Sequence, residues 1–289
     1  MKGKLKRCAG CSIAKYCSRE CQKNAWPTHK EFCRRPGTSS QPDAGSDSFA
    51  GFPTAISLAD AIREWVRIHD YGFNVIANAT VLLNGGVDRA FASPQALRFE
   101  LDIGPNNKGD GNPANVFKLD RISLDTKESF LRPTGLTDAE AWDRREEQCR
   151  YDAMRKRVEF PHVTITGVLP AAFLVLNTGL VAWHQFPVFA PRHFDFSAPL
   201  APPLQFLLDD LIAMSLVAMN AGDILRLPKV HIGRPEPEVG NLIRRDKQWK
   251  WRNKDEDAYW EALDMRTVKG FLKKTGMHPR DIWKCFHTL

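Results

Sequence analysis

The 289-residue chain is 43% hydrophobic and 26% charged, with 17 phenylalanines, a composition that excludes a disordered chain and provides for a real core. At about 100–200 residues per domain, it has room for one small module and one or two larger units. The net charge of +7 is uneven: residues 1–36 hold ten Lys or Arg against two Glu, a local +8, so the other 253 residues sum to −1. That cationic end favours acidic partners or polyanions, with an attraction that weakens as salt rises.

The first element is a cysteine cluster. Five of the seven cysteines fall within residues 8–33, spaced Cys8-x2-Cys11-x5-Cys17-x3-Cys21-x7-His29-x3-Cys33. Met1 to Arg7 is basic and runs straight into Cys8 without an apolar leader, so a disulfide framework is not the expectation. Clustered Cys with His in a cytoplasmic or nuclear chain reads as metal binding. Zinc takes four such donors in a tetrahedron. A CxxC pair on a tight turn places two thiolates on one metal. Cys17 and Cys21 lie four apart on one face of a helix beginning at Ser18, and Pro27 opens a second short helix carrying His29 and Cys33. Spacing alone also permits an all-thiolate site of Cys8, Cys11, Cys17 and Cys21. Four protein ligands close the coordination sphere, so the metal is expected to be structural. His29-Lys30-Glu31 matches the H-x-E fragment of zinc deaminases, but no P-C-x-x-C follows.

Residues 36–53 are rich in Pro, Gly, Ser and Asp and predict a flexible linker between a 1–35 module and a 54–289 domain. Ser57 is a plausible N-cap for a helix with Leu58, Ile62, Trp65, Val66 and Ile68 at helical spacing, continued by Phe73 to Leu83 and stopped at Gly85-Gly86. Leu97, Phe99, Leu101 and Ile103 alternate with charged residues as a half-buried strand. A loop from Gly104 to Pro113 leads to a second strand around Val116–Leu124. Thr137-Asp138-Ala139-Glu140 has capping-box form and opens a charged helix to about Arg157. Phe160 to Pro191 contains no Asp, Glu, Lys or Arg. It is long enough to span a membrane, but Pro170, Asn177 and Gly179 favour strands near His162–Leu169, Ala172–Leu176 and Leu180–Phe189. Leu204–Met219 predicts a buried helix interrupted by Asp209 and Asp210. A strand near Ile224–Ile232, a loop from Gly233 to Gly240, and helices near Asp255–Thr275 and Pro279–Phe286 complete the chain. Strands grouped between helices give α+β, with a mainly antiparallel sheet and no membrane association. Asn78-Ala79-Thr80 matches a glycosylation sequon but lies on a helix.

The cysteine cluster resembles a known module. Cys8-Ala9-Gly10-Cys11, Tyr16-Cys17-Ser18-Arg19-Glu20-Cys21-Gln22, Trp26 and His29-Lys30-Glu31-Phe32-Cys33 look like the C-terminal two-thirds of a MYND-type zinc finger. Such fingers carry a further upstream CxxC pair and hold two zinc ions in an interleaved arrangement. The resemblance therefore implies one complete site, Cys8, Cys11, His29 and Cys33, and a half-site, Cys17 and Cys21. One Zn²⁺ is expected, and a second only where an upstream CxxC pair exists. Such fingers mainly act in protein–protein interaction, several recognising short proline-containing peptides; Tyr16 and Trp26 are the candidate partner-binding residues, with packing inside the finger as the alternative. Some MYND fingers are inserted in SET-type lysine methyltransferases, so the alternative is an enzyme with its active site in residues 54–289.

That larger region contains no P-loop, GxGxxG, GxSxG or HExxH. Cys149 and Cys285 read as inert thiols not fixed near His69, His184 or His287, and His193-Phe194-Asp195 as a loop turn. Lys247-Gln248-Trp249-Lys250-Trp251-Arg252 is aromatic and basic; it reads first as an amphipathic, partly exposed strand or helix edge, and second as a stretch suited to stacking on bases or meeting an acidic surface. Nucleic acid is otherwise unsupported.

Overall fold

The computed structural model describes residues 6–8, 15–29, 49, 51–104, 111–134, 139–190, 200–227, 236–270 and 274–288. The chain divides into two compact units, Met1–Asp60 and Ala61–Leu289. The fold is α+β.

In the first unit, β1 (Lys6–Arg7) pairs antiparallel with β2 (Lys15–Tyr16), in the register Lys6↔Tyr16 and Arg7↔Lys15. Helix α1 (Arg19–His29) follows at once. Its start is dictated by Ser18, whose hydroxyl accepts the Cys21 amide at 3.1 Å, an N-cap to N3 bond that satisfies one of the helix's orphan donors. The helix runs on through position 27, so the expected restart at Pro27 is replaced by one continuous helix that forgoes the bond proline cannot donate. Most of the 36–53 linker lies outside the described residues.

Helix α2 (Ala55–Ile68) begins earlier than its expected cap. Thr54 and Ser57 exchange side-chain to backbone bonds: the Ser57 amide donates to Thr54 Oγ1 at 3.1 Å and the Thr54 amide to Ser57 Oγ at 3.0 Å. Ser57 is thus the third helical residue of a capping box, and Thr54 is the cap. After His69, α3 (Asp70–Leu83) continues the apolar run. A further helix, α4 (Gly86–Ala92), begins where the Gly-Gly pair was expected only to stop one, because Gly85 at φ 99° redirects the chain.

The main sheet has the order β4-β3-β5-β6, formed by β3 (Gln95–Ile103), β4 (Phe117–Thr126), β5 (Ile165–Val175) and β6 (Val181–Phe189). β3 and β5 run parallel while the other two pairings are antiparallel. The two strands expected before and after Pro170 are one strand. Pairing of β5 with β3 begins at Ala171, just past the proline, where a missing N–H costs the ladder least. Asn177 (φ 63°) and Gly179 (φ 64°) make the expected turn into β6. The region with no charges is therefore the centre and edge of a sheet. Between β4 and β5 run α5 (Lys127–Thr134), which was not expected, and α6 (Ala139–Glu159). The capping box anticipated at Thr137-Asp138 lies outside the described residues, as does most of the loop expected from Gly104.

The sheet is covered on both faces. On one, Phe73 from α3 meets Phe99 at 5.2 Å and Phe173 at 5.1 Å between ring centroids, with Trp65 of α2 5.2 Å behind it. All four are fully buried. On the other, Phe130 of α5, Trp142 of α6 and Trp183 of β6 form a second aromatic cluster with Ala96 and Ala172. The alternation read in β3 feeds both: Leu97, Phe99 and Leu101 point one way, Ala96 and Glu100 the other. Asn78 of α3 pins the helix to β6 by donating to the Pro187 carbonyl and accepting the Phe189 amide, so its amide is committed.

Helix α7 (Pro202–Asn220) is long and apolar enough to cross a membrane by length and composition. Here Leu208, Leu211, Met214 and Ala218 are buried in a core with Val75 and Ala79 of α3 and with α8 (Glu256–Gly270) and α9 (Pro279–Thr288), through Trp260, Ile282 and Trp283. A second sheet, β7-β8-β9, completes the unit: β7 (Ile224–Arg226), β8 (Glu238–Arg245) and β9 (Gln248–Asn253), all antiparallel. β7 is shorter than the strand expected to reach Ile232, part of which lies outside the described residues. β8 occupies the end of the expected loop, and the aromatic, basic stretch is strand β9.

Candidate functional site

The finger brings some of the expected metal ligands into view. Cys8 follows β1 directly and is buried, 1% exposed, with the Gln22 side-chain amide 3.7 Å from its sulfur. Cys17 precedes the cap of α1 and Cys21 is its third residue, so one helical turn stacks the two side chains and their sulfurs lie 2.8 Å apart. That contact splits the pair electrostatically. The hydrogen bond from Cys17, helped by the Ser18 hydroxyl, lowers the Cys21 thiol below its ordinary value. The same bond, with the charge on Cys21, raises Cys17. An anion at the first turn of a helix also faces the positive end of its dipole. Cys21 is therefore the readier thiolate of the two, and Cys17 holds the shared proton.

The donor chemistry suits zinc. Two thiolates at about 2.3 Å from a tetrahedral zinc sit about 3.8 Å apart, so capture needs the exposed pair to open by about one ångström. Among the described residues no group of three or more Cys, His, Asp or Glu comes together around a metal position. His29 is the last residue of α1, while Cys11 and Cys33 lie outside the described residues. Of the expected partner-binding residues, Trp26 projects from α1 at 44% exposure and Tyr16 on β2 is half-buried.

Residues 1–33 match the family model described as the MYND finger. That segment is a MYND finger. It is 61% identical over 33 residues to "Histone-lysine N-methyltransferase SMYD3" of Homo sapiens, and 62% identical over 32 residues to the protein of the same name from Mus musculus. Each alignment covers 11% of this chain and 8% of the relative, so the likeness is to the finger. No solved structure matches the chain. MYND fingers bind zinc and generally mediate protein–protein interaction.

In the α+β unit Cys149 has the surroundings of an inert thiol. Cys149 on α6 is buried, its sulfur 3.9 Å from Gln185 Oε1, and burial pushes its thiol up to about 12, where no nucleophilic thiolate exists at neutral pH. His69, between α2 and α3, is 1% exposed; its Nε2 donates to the Ala114 carbonyl at 3.0 Å, and burial lowers it to about 4. It is a neutral structural histidine, sharing that carbonyl with the Trp65 indole at 3.1 Å. Burial also lowers His184 on β6 and His287 on α9, the latter 3.2 Å from the Tyr71 hydroxyl. Cys285 lies on α9 beside the apolar core. His193-Phe194-Asp195 falls outside the described residues. A hollow of about 430 Å³ lined by Asp143, Arg144, Glu147 and Arg150 is the surface groove of α6.

One arrangement escaped sequence reasoning. Asp210, read as a flaw in α7, is 4% exposed and accepts the Lys274 and Thr275 amides, each at 2.9 Å, and the Thr275 hydroxyl at 2.6 Å. Neighbouring Asp209 pairs with the Lys274 ammonium at 2.6 Å. An acid in an apolar helix was the available signal, but its partners lie about 65 residues away and leave no local trace.

Proposed function

We propose that the MYND finger is a zinc-stabilised recruiting module that presents Trp26 and Tyr16 to a short proline-containing peptide, on a chain of the cytoplasm or nucleus. The observation that carries this reading is the 61% identity over 33 residues to a MYND finger, with Trp26 exposed on α1. Cys8, Cys11, His29 and Cys33 hold the one complete zinc; Cys17 and Cys21 are a half-site that fills only with an upstream CxxC pair. Zinc here is architectural: it orders a segment with almost no core of its own and leaves no open position for water. The basic surface steers acidic flanks of a peptide, and the indole supplies apolar contact.

The test is metal content and peptide binding on the full chain. His29→Ala is expected to abolish tight zinc binding, while Cys17→Ala lowers affinity far less; a normal zinc content in His29→Ala overturns the ligand set. A proline-rich peptide with acidic flanks is expected to bind, with affinity falling at least tenfold in Trp26→Ala. Equal binding of the same peptide with alanine in place of proline overturns the recognition mode. The methyltransferase alternative draws only on the finger, the one segment shared with the methyltransferase relatives.

A further inference from the structure

The hairpin β8–β9 ends in a two-residue turn, Asp246-Lys247, with both residues left-handed at φ 52° and 63°. Two consecutive positive φ values define the hairpin turn whose twist matches the strands, and they lock Arg245 opposite Gln248 as the closing hydrogen-bonded pair. From that pair the pattern alternates. The backbone groups of Gln248, Lys250 and Arg252 face β8, and those of Trp249, Trp251 and Asn253 face away. The Lys254 amide, bonded to the Val239 carbonyl at 2.9 Å, falls on the inward side as this parity requires. β9 is the end strand of its sheet, and among the described residues no backbone group pairs with the outward side of Trp249 or Trp251. An open row of donors and acceptors is a template for another strand.

Its charge selects which strand. Lys250 and Arg252 are exposed on one face of β9, flanked by Arg245 and Lys247 at the turn. Lys250 reaches Asp246 at 3.3 Å, while Arg245, Lys247 and Arg252 have no acidic partner among the described residues. On the opposite face Trp251 packs over Gly240, where a Cβ would strike the ring, and carries the Arg226 guanidinium 3.9 Å from its centroid. Trp251 is thus engaged within the sheet and is poorly placed to stack on a base. A second copy of β9 would set Lys250 and Arg252 against the same residues, which like-charge pairing disfavours.

We propose that the free edge of β9 is a docking strand for an extended acidic segment of a partner protein, which would extend the β7-β8-β9 sheet by one strand. The incoming chain would exchange backbone bonds with Trp249 and Trp251. It would place Asp or Glu at alternate positions opposite Lys250 and Arg252, the non-hydrogen-bonded sites where facing side chains come closest. This mode of recognition takes affinity from the main chain and specificity from alternate side chains.

The probe is a synthetic strand alternating Glu and Val, titrated into the full chain. Binding is expected to weaken at least tenfold in a Lys250→Glu/Arg252→Glu variant whose melting temperature is unchanged, and to be the same in Trp26→Ala as in the native chain. On the native chain, methylating the peptide nitrogens that face Trp249 and Trp251 is expected to abolish binding. Undiminished binding of the methylated peptide would overturn strand addition, because charge alone would then suffice. Tighter binding of single-stranded oligothymidylate than of the peptide, or dimerisation of the native chain lost in the charge-reversed variant, would overturn the choice of occupant.

Discussion

The finger and the α+β unit solve the same problem with different materials. Among the described side chains of residues 1–35 only Cys8 is buried, and the local structure is one strand pair of two residues a side and one capped helix. In the α+β unit Trp65, Phe73, Phe99, Phe173 and Phe186 interlock over one face of a sheet while a second aromatic cluster closes the other. A few dozen residues cannot hide enough apolar area to offset the entropy of ordering them, so a metal must do it. Two hundred residues can.

The sharpest way to break that contrast is to remove the metal. A structural zinc is worth on the order of 10–16 kcal/mol to a small module. Chelation is therefore expected to strip hydrogen-exchange protection from residues 19–29 while the main thermal transition stays put. Protection of α1 that survives chelation would show a finger that folds unaided. The reciprocal change is Phe73→Ala, which deletes a ring at the centre of the aromatic cluster and is expected to cost about 3–5 kcal/mol in urea unfolding, with zinc content unaltered.

Acid should separate the units next. His69 is lowered from 6.5 to about 4 in the folded state, so the unfolded chain takes up its proton first. Its contribution is complete above about pH 6.5 and is lost as pH falls from there toward 4, an order of about 3 kcal/mol by linkage. His184 and His287, lowered by burial, push in the same direction. Stability of His69→Gln, measured across pH 4–7, is expected to fall less steeply than that of the native chain; identical slopes would refute the assignment. The smallest effects are the caps. Ser18→Ala should loosen α1 and Thr54→Ala should loosen α2, each by about 1 kcal/mol, the first visible as weaker zinc affinity and the second in the thermal transition.

How much of this was legible in the sequence depended on how local its cause was. The spacing of Cys8 to Cys33 named the finger because ligand chemistry is written in adjacent residues. The alternation of Leu97 to Ile103 named β3, and Asn177-Thr178-Gly179 named the turn between β5 and β6, for the same reason. Ser57 was misread as a cap because a capping box has two ends with nearly the same composition, and only the bond geometry shows that Thr54 is outside the helix. β5 was divided because Pro170 breaks a strand in isolation; its tolerance depends on where β3 begins to pair, which is a property of residues 97 and 171 together. β8 was hidden in a glycine-containing loop, with nothing in Glu238–Arg245 to announce that β7 and β9 would flank it. At the candidate sites the same limit applies. Trp26 could be singled out by type, whereas the outward backbone of Trp249 and Trp251 exists only once the Asp246-Lys247 turn fixes parity.

The carboxylate of Asp210 sets a timetable. It sits in the middle of α7 yet receives its hydrogen bonds from Lys274 and Thr275, and the helix buries its apolar face partly against Ile282 and Trp283. As the chain emerges from the ribosome, α7 is complete some fifty-five residues before those partners arrive. Until then it is a greasy helix with a charge it cannot shelter, in need of water or a chaperone. The α+β unit should therefore resist folding in stages and close in one late step, when the last two helices reach it.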